Sequence, residues 1–247
     1  MPKLNAADDL EQFKLPGAFT FSATKIESLG ADEYTLITVA VDDSGSINSF
    51  RSDMINCMEE IVKACRYSPR ADNLLIRVTT FSSALKEFHG FKPLMTINAG
   101  DYANLLGDGG MTALYDACVN AVEATAAYGK SLNAQHFSAN GIVIVITDGM
   151  NNSSNYGKDR IKEALVSMMK EESLESIVSI LVGVNMSDSQ VANELRTLQQ
   201  DAGFTQFVEI KDATKSSIAK LAQFVSKSIS AQSQALGTGG PSQSISI

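Results

Sequence analysis

The segment Ile37-Thr-Val-Ala-Val-Asp-Asp-Ser-Gly-Ser46 constrains the fold more than any other. Its first half is a near-continuous run of β-formers, the pattern of a strand covered on both faces, as in parallel sheets. Its second half turns at Gly45 and gathers Asp42, Ser44 and Ser46 around one point, because strand side chains alternate and glycine frees the turn that follows. A carboxylate and two hydroxyls brought together in this way are hard oxygen donors, suited to Mg²⁺ or a similar cation.

Two later segments supply more of the same chemistry. Gly107-Asp-Gly-Gly-Met-Thr112 is a glycine-rich loop running into a helical pattern over 113–128, and it offers the Thr112 hydroxyl. Gly141-Ile-Val-Ile-Val-Ile-Thr-Asp-Gly149 is a second buried strand that again ends at an acid, Asp148. Parallel strands of this kind end side by side, and ligands of open α/β sheets bind at that edge.

The rest of the chain alternates strand and helix. Met54, Met58, Ile61, Val62 and Cys65 recur at helical spacing over 50–67, and Pro69 closes that helix. Strands are expected at 74–82 and 85–96, the second returning beside the first as an antiparallel edge strand. A polar connection over 129–140, a loop at 151–155, strands at 177–184 and 206–210, and three more helices complete the pattern. The expected fold is α/β: a doubly wound, mostly parallel central sheet with one antiparallel edge strand and helices on both faces.

With 247 residues, 44% of them apolar, the chain can build one large core, and no run approaches the length of a membrane span. The N-terminus lacks a basic segment followed by an apolar stretch, so no secretory signal is read there. Cys57, Cys65 and Cys118 fall within helical patterns, which favours buried reduced thiols over a disulfide framework. Cytoplasmic localisation is the expectation. A net charge of −8 without a clustered basic surface speaks against nucleic acid and anionic membrane as partners. His89 and His136 show no ligand-like spacing, so zinc and histidine-based catalysis find no support.

Asp-x-Ser-x-Ser after the first strand, a Thr in a glycine-rich loop and Thr-Asp-Gly after a central strand resemble the von Willebrand factor type A domain and its metal-ion-dependent adhesion site. The resemblance covers roughly 34–230. It implies that Ser44 and Ser46 bind the metal directly, that Thr112 binds directly or through water, and that Asp42 and Asp148 act mainly through water and hydrogen bonds. The implied ion is Mg²⁺, with Mn²⁺ or Ca²⁺ as substitutes, and the implied partner is a protein offering an Asp or Glu to an open coordination position. Neutral hydroxyl ligands leave the ion electrophilic enough to accept such a carboxylate. Compact members without a signal resemble intracellular bacterial or phage adaptors in signalling, stress or assembly systems.

Competing readings follow from the same residues. Asp42 and Asp148 would serve as turn or capping residues, and Thr112 as the N-cap of the helix after it. Asp43, Asp108, Asn151 and Asn152 read as ordinary polar loop. A metal-dependent phosphotransferase or hydrolase would use Asp42 as nucleophile, but Ser44 stands where such folds want a second acid, and Thr147-Asp148-Gly149 brings no lysine. No catalytic residue is therefore assigned. A structural subunit of a larger particle is a third reading. Residues 1–33 form an arm too short for a domain, with an extra strand near 19–24, which must pack on the core or on a partner. Residues 231–247, rich in Ser, Gln and Gly, read as a flexible tail.

Overall fold

The computed structural model describes residues 10–16, 19–107, 109–170 and 174–238. Along it run β1 (Leu10–Lys14), β2 (Thr20–Thr24), β3 (Glu33–Asp42), α1 (Arg51–Arg66), β4 (Leu74–Phe81), β5 (Leu85–Pro93), α2 (Leu114–Asn133), β6 (Ser138–Thr147), α3 (Lys158–Lys170), β7 (Ile177–Val184), α4 (Ser189–Ala202), β8 (Gln206–Ile210) and α5 (Lys215–Thr238). The eight strands make one sheet in the order β1-β2-β5-β4-β3-β6-β7-β8. From β4 through β3, β6 and β7 to β8 every pairing is parallel. This is the doubly wound α/β sheet expected from the sequence.

Alternation along the central strands sets the layers. Ile37, Val39 and Val41 of β3 and Ile142, Ile144 and Ile146 of β6 face one side, where Met58 and Ile61 of α1 meet Leu221 and Val225 of α5. Ala40, Val143 and Val145 face the other side, against Ala117 and Cys118 of α2, Leu165 of α3 and Leu195 of α4. A one-residue slip of either strand would exchange these sets, so burial on both faces fixes the register.

β5 returns antiparallel beside β4 as expected, but it does not form the edge of the sheet. The sheet continues beyond it, because the N-terminal arm adds β2 parallel to β5 and β1 antiparallel to β2. The arm thus packs on the core. Ser22 donates its N–H and hydroxyl to Glu87 Oε1 at 2.9 and 2.6 Å. Tyr128 stacks on Phe91 with ring centroids 5.2 Å apart and donates its hydroxyl to the Thr24 carbonyl at 2.6 Å. Gly90 permits the close approach, since a Cβ there would lie 2.0 Å from the Ser22 carbonyl oxygen. Covered by the arm, α2 runs to Asn133 and β6 begins at Ser138, so the polar connection expected over 129–140 shrinks to 134–137. Burial of Tyr128 and Leu132 overrides the polar composition there.

At the other terminus α5 crosses the boundary expected at residue 230 and runs to Thr238, with Gln232, Ser233 and Ala235 buried. Tertiary contacts explain the extension where composition pointed to a flexible tail. Asn140 Nδ2 donates to the Gln232 carbonyl at 2.8 Å, and Arg70, ion-paired with Glu33, donates Nε–H to Ser233 Oγ at 3.2 Å. Gly237 leaves the guanidinium room, as a Cβ there would fall 2.0 Å from Arg70 Nη1. The rest of the expected tail, 239–247, and the first nine residues of the arm lie outside the described residues.

Candidate metal centre

β3 and β6 are parallel neighbours with Val41 opposite Ile146, so Asp42 and Thr147 end side by side at the carboxyl edge. Thr147 Oγ1 donates to Asp42 Oδ2 at 2.6 Å, while Asp42 Oδ1 accepts the Ser44 N–H at 2.8 Å. The second bond closes an Asx turn that reverses the chain out of the strand. A short 3₁₀ turn over Gly45–Ser49 then brings Ser46 Oγ to 3.0 Å from Ser44 Oγ. Ser46 in turn donates to Asp148 Oδ1 at 2.6 Å, one residue beyond the end of β6. Asp42, Ser44, Ser46 and Asp148 are thereby joined in one cluster of oxygens.

Thr112 arrives by a second loop whose path depends on glycine. Gly109 and Gly110 have φ of 68° and 113°. At Gly110 a side chain is also excluded by space, because its Cβ would meet Ser83 Oγ at 2.8 Å. The loop docks on the first through Gly45 N–H to the Gly110 carbonyl at 3.1 Å and on the end of β4 through Ala113 N–H to the Ser82 carbonyl at 2.7 Å. Thr112 does not N-cap α2, since the cap position falls on Ala113 and no side chain bonds there. Asp42 is a strand end that holds its own turn. The capping reading thus fails for Thr112, whereas Asp42 does act as a turn residue through the Ser44 N–H.

Of the three hydroxyl residues, Ser44 and Thr112 are only 2% and 4% exposed. Ser46 alone of the three faces solvent. Burial follows from the way the loops fold over one another. Asp43, read from sequence as polar loop, is 1% exposed and accepts the Gly107 N–H at 2.9 and 3.0 Å. Asn152, read the same way, accepts the Thr112 N–H on Oδ1 at 2.7 Å and returns its own N–H to the Thr112 carbonyl at 3.0 Å. Asn151 Oδ1 accepts from Ser154 Oγ, whose oxygen meets the Tyr115 and Asp116 N–H groups at 3.0 and 3.1 Å. Asp108 lies outside the described residues. Asp43 sits inside the Asp-x-Ser-x-Ser motif, which is a signal of a kind; nothing in the sequence marks Asn152.

The electrostatics of the cluster are unbalanced. Burial pushes the Asp148 carboxyl up to about 6, the charge of Asp42 adds to the shift, and the Ser46 hydroxyl opposes it. Burial likewise raises Asp42 above the usual carboxylate range, against hydrogen bonds from Ser44 and Thr147. Among the described residues neither acid forms an ion pair, and the nearest one joins Arg51 to the neighbouring Asp43 at 3.9 Å. A hollow of about 10 Å³ beneath them, walled by Ile47, Phe50, Met54, Ile146 and Val184, keeps that side apolar. The donors present are hydroxyls and carboxylates, which fit a hard cation such as Mg²⁺, Mn²⁺ or Ca²⁺. Among the described residues no group of three or more His, Cys, Asp or Glu is arranged to hold a metal, so any centre here depends on the hydroxyls.

Residues 37–224 match the von Willebrand factor type A domain. With that much of its length matched, the chain belongs to this family. Among solved structures it is similar to the D319A mutant of the PilB minor pilin from Streptococcus sanguinis, with a TM-score of 0.62 and 12% identity over 87% of this chain and 65% of that one. The pilus adhesin SpaC from Lactobacillus rhamnosus GG, in its open conformation, gives 0.59 and 10%, covering 90% of this chain and 32% of the other. Proximal thread matrix protein 1 of the mussel byssus, solved with a zinc-occupied MIDAS motif, gives 0.53 and 21%, covering 79% and 46%. At such identities these likenesses show the fold alone, and the chain spans less than two thirds of each of these three. Comparison of the sequence with curated proteins gives no match.

Proposed function

We propose that the chain is a Mg²⁺-dependent protein-interaction module, with Mn²⁺ or Ca²⁺ as substitutes, whose metal is held by Ser44, Ser46 and Thr112 and supported by Asp42 and Asp148. The observation that carries this reading is the cluster Asp42–Ser44–Ser46–Asp148, in which two partly or wholly buried acids meet hydroxyls and no base. A dication would reverse the cost of burying both carboxylates. Bound mainly by neutral hydroxyls, it would keep an affinity for an Asp or Glu of a partner protein. The chain would then act as an adaptor in a multiprotein signalling, stress or assembly system of a bacterium or phage.

A hydrolase or phosphotransferase reading is weaker. Both oxygens of Asp42 are engaged, by Thr147 and Ser44, and the side chain is 2% exposed, which leaves it no path to an electrophile. The cytoplasm is the compartment we favour, supported by Cys57, Cys65 and Cys118 being free and buried. Among the described residues no helix is long and apolar enough to cross a membrane. The net charge of −8 supports a protein partner over nucleic acid.

The test is a pair of measurements. Mn²⁺ or Mg²⁺ at millimolar levels should raise the melting temperature of the wild type and leave Asp42→Ala unmoved, and EDTA should release a partner recovered on the immobilised chain. An absence of binding heat and of stabilisation with either ion would overturn the metal reading. A Mg²⁺-dependent phosphoesterase activity lost in Asp42→Asn would promote the rival.

A further inference from the structure

We propose that Asp43 and Asn152 are positioning residues of the metal centre, holding Gly107 and Thr112 respectively so that the Thr112 hydroxyl is presented to the cation. The inference rests on the metal-binding reading above. Its source is the way three loops close into a ring. The first loop holds the start of the second where Asp43 accepts the Gly107 N–H. It holds the second again where Gly45 N–H reaches the Gly110 carbonyl at 3.1 Å. The third loop holds the end of the second through the reciprocal Asn152–Thr112 pair. It returns to the first through Asp148–Ser46 and Thr147–Asp42.

A loop built on Gly107, Gly109 and Gly110 has more backbone freedom than any other composition would give it. The place of Thr112 must therefore be imposed from outside, and a neutral hydroxyl is too weak a ligand to impose it by binding alone. The third loop is stiff enough to do so. Ser154 Oγ accepts the Tyr115 and Asp116 N–H groups of the first turn of α2, at 3.0 and 3.1 Å. Asp116, 3% exposed, accepts in return the N–H groups of Asn155 and Tyr156 at 2.9–3.0 Å. The loop is thus splinted to the helix that Thr112 precedes, and Asn152 reaches back from the splint. Of the two bonds it makes to Thr112, the one from its backbone survives Asn152→Ala and the one to its side-chain oxygen does not.

The experiment uses the full chain and two readouts: Mn²⁺ titration by calorimetry, and amide hydrogen exchange of residues 107–113 without cation. Asn152→Ala should weaken Mn²⁺ by about tenfold, equivalent to ~1.4 kcal/mol, and speed exchange of the Thr112 amide. Asn152→Asp, which keeps the acceptor oxygen, should bind at least as tightly as wild type and exchange like it. Asp43→Ala and its rescue Asp43→Asn should repeat the pattern at Gly107. Wild-type affinity and exchange in Asn152→Ala would overturn the proposal, as would equal losses in the Ala and Asp variants. A wild type that takes no Mn²⁺ removes the metal reading itself. Exchange then decides the holding role, with an unchanged Thr112 amide in Asn152→Ala overturning it.

Discussion

On β4, the Arg77 guanidinium is 1% exposed and meets Glu87 at 2.7 Å, Asn120 at 2.9 Å and the face of Phe21 at 5.9 Å. At the ends of β3 and β6, Asp42 and Asp148 are raised by burial, and neither has an ion-pair partner among the described residues. The first group is a buried cation with its anion at hand, and Glu87 passes the constraint on to Ser22 of the arm. The second is a pair of acids, Asp42 buried and Asp148 half-buried, which on the proposed reading would take its counter-charge from a bound cation. Burial of charge is costly in both places, so the same physics that makes one region a structural pin would, on the reading proposed above, make the other a receptor for a cation.

The largest effect should come from the pin. Glu87→Ala leaves the Arg77 charge buried with Asn120 but without its counter-charge, and such one-sided removals cost about 3–5 kcal/mol. Urea unfolding should show the loss, and added Mn²⁺ should restore none of it beyond the stabilisation that the wild type also gains. A loss under 1 kcal/mol would mean that water already solvates Arg77 and that the two regions do not differ as argued. Next comes the cation itself. At a free concentration one hundred times Kd it should add ~2.7 kcal/mol to the wild type. Asp42→Ala should lose that increment, while its cation-free stability stays within about 2 kcal/mol of wild type, two hydrogen bonds being set against one uncompensated charge. A cation-free loss as large as that of Glu87→Ala would show that Asp42 is a structural pin as well.

A smaller effect belongs to β5, where His89 lies opposite Val78 of β4. His89 Nδ1 donates to the Gly90 carbonyl, which leaves Nε2 of the neutral ring to accept from the Tyr102 hydroxyl, each at 2.9 Å. Burial is the main cause that pushes its pKa down to about 3, with Lys92 and Arg77 adding and Asp101 and the Gly90 carbonyl opposing. The folded value lies below the unfolded one, so the unfolded chain binds the proton first as pH falls. Stability is therefore fully present above about 6.5 and falls as pH drops toward 3, by up to ~1.4 kcal/mol per unit from this group. His89→Gln should flatten the slope between pH 6.5 and 5 in urea titrations. An unchanged slope would assign it to other groups.

The sequence carried the parts of this comparison that depend on periodicity and on short motifs. The strands of β3 and β6 were legible as apolar runs, and Asp42, Ser44, Ser46 and Asp148 as their continuations, because a strand end and a tight turn are local. Contacts between distant segments were not legible. Ser22 to Glu87 and Asn140 to Gln232 join residues far apart in the chain, so neither the locking of the arm nor the extension of α5 shows in composition. Asn152 is hidden for the same reason, since its partner Thr112 belongs to a different loop. Burial of Ser44 and Thr112 likewise depends on loops folding over one another.

The smallest effect on folding should accompany one of the largest on binding. Thr112 sits between Met111, whose N–H is held by Ser83 Oγ at 3.0 Å, and Ala113, held by the Ser82 carbonyl at 2.7 Å. Its own N–H and carbonyl are held by Asn152. All of these bonds are to backbone groups, so Thr112→Ala keeps them and loses one hydroxyl and one methyl. The stability cost should be about 1 kcal/mol or less, judged from the methyl and the absence of a cap. The hydroxyl, however, is the only side-chain ligand that this loop offers among the five proposed. Without it the cation loses a donor, and the charge-assisted contact to a partner carboxylate loses its anchor. Circular dichroism and urea midpoints near wild type, together with loss of an EDTA-sensitive partner, are the expected outcome. Retention of that partner by Thr112→Ala, with Mn²⁺ affinity intact, would place recognition on another surface and leave the oxygen cluster with no need of the second loop.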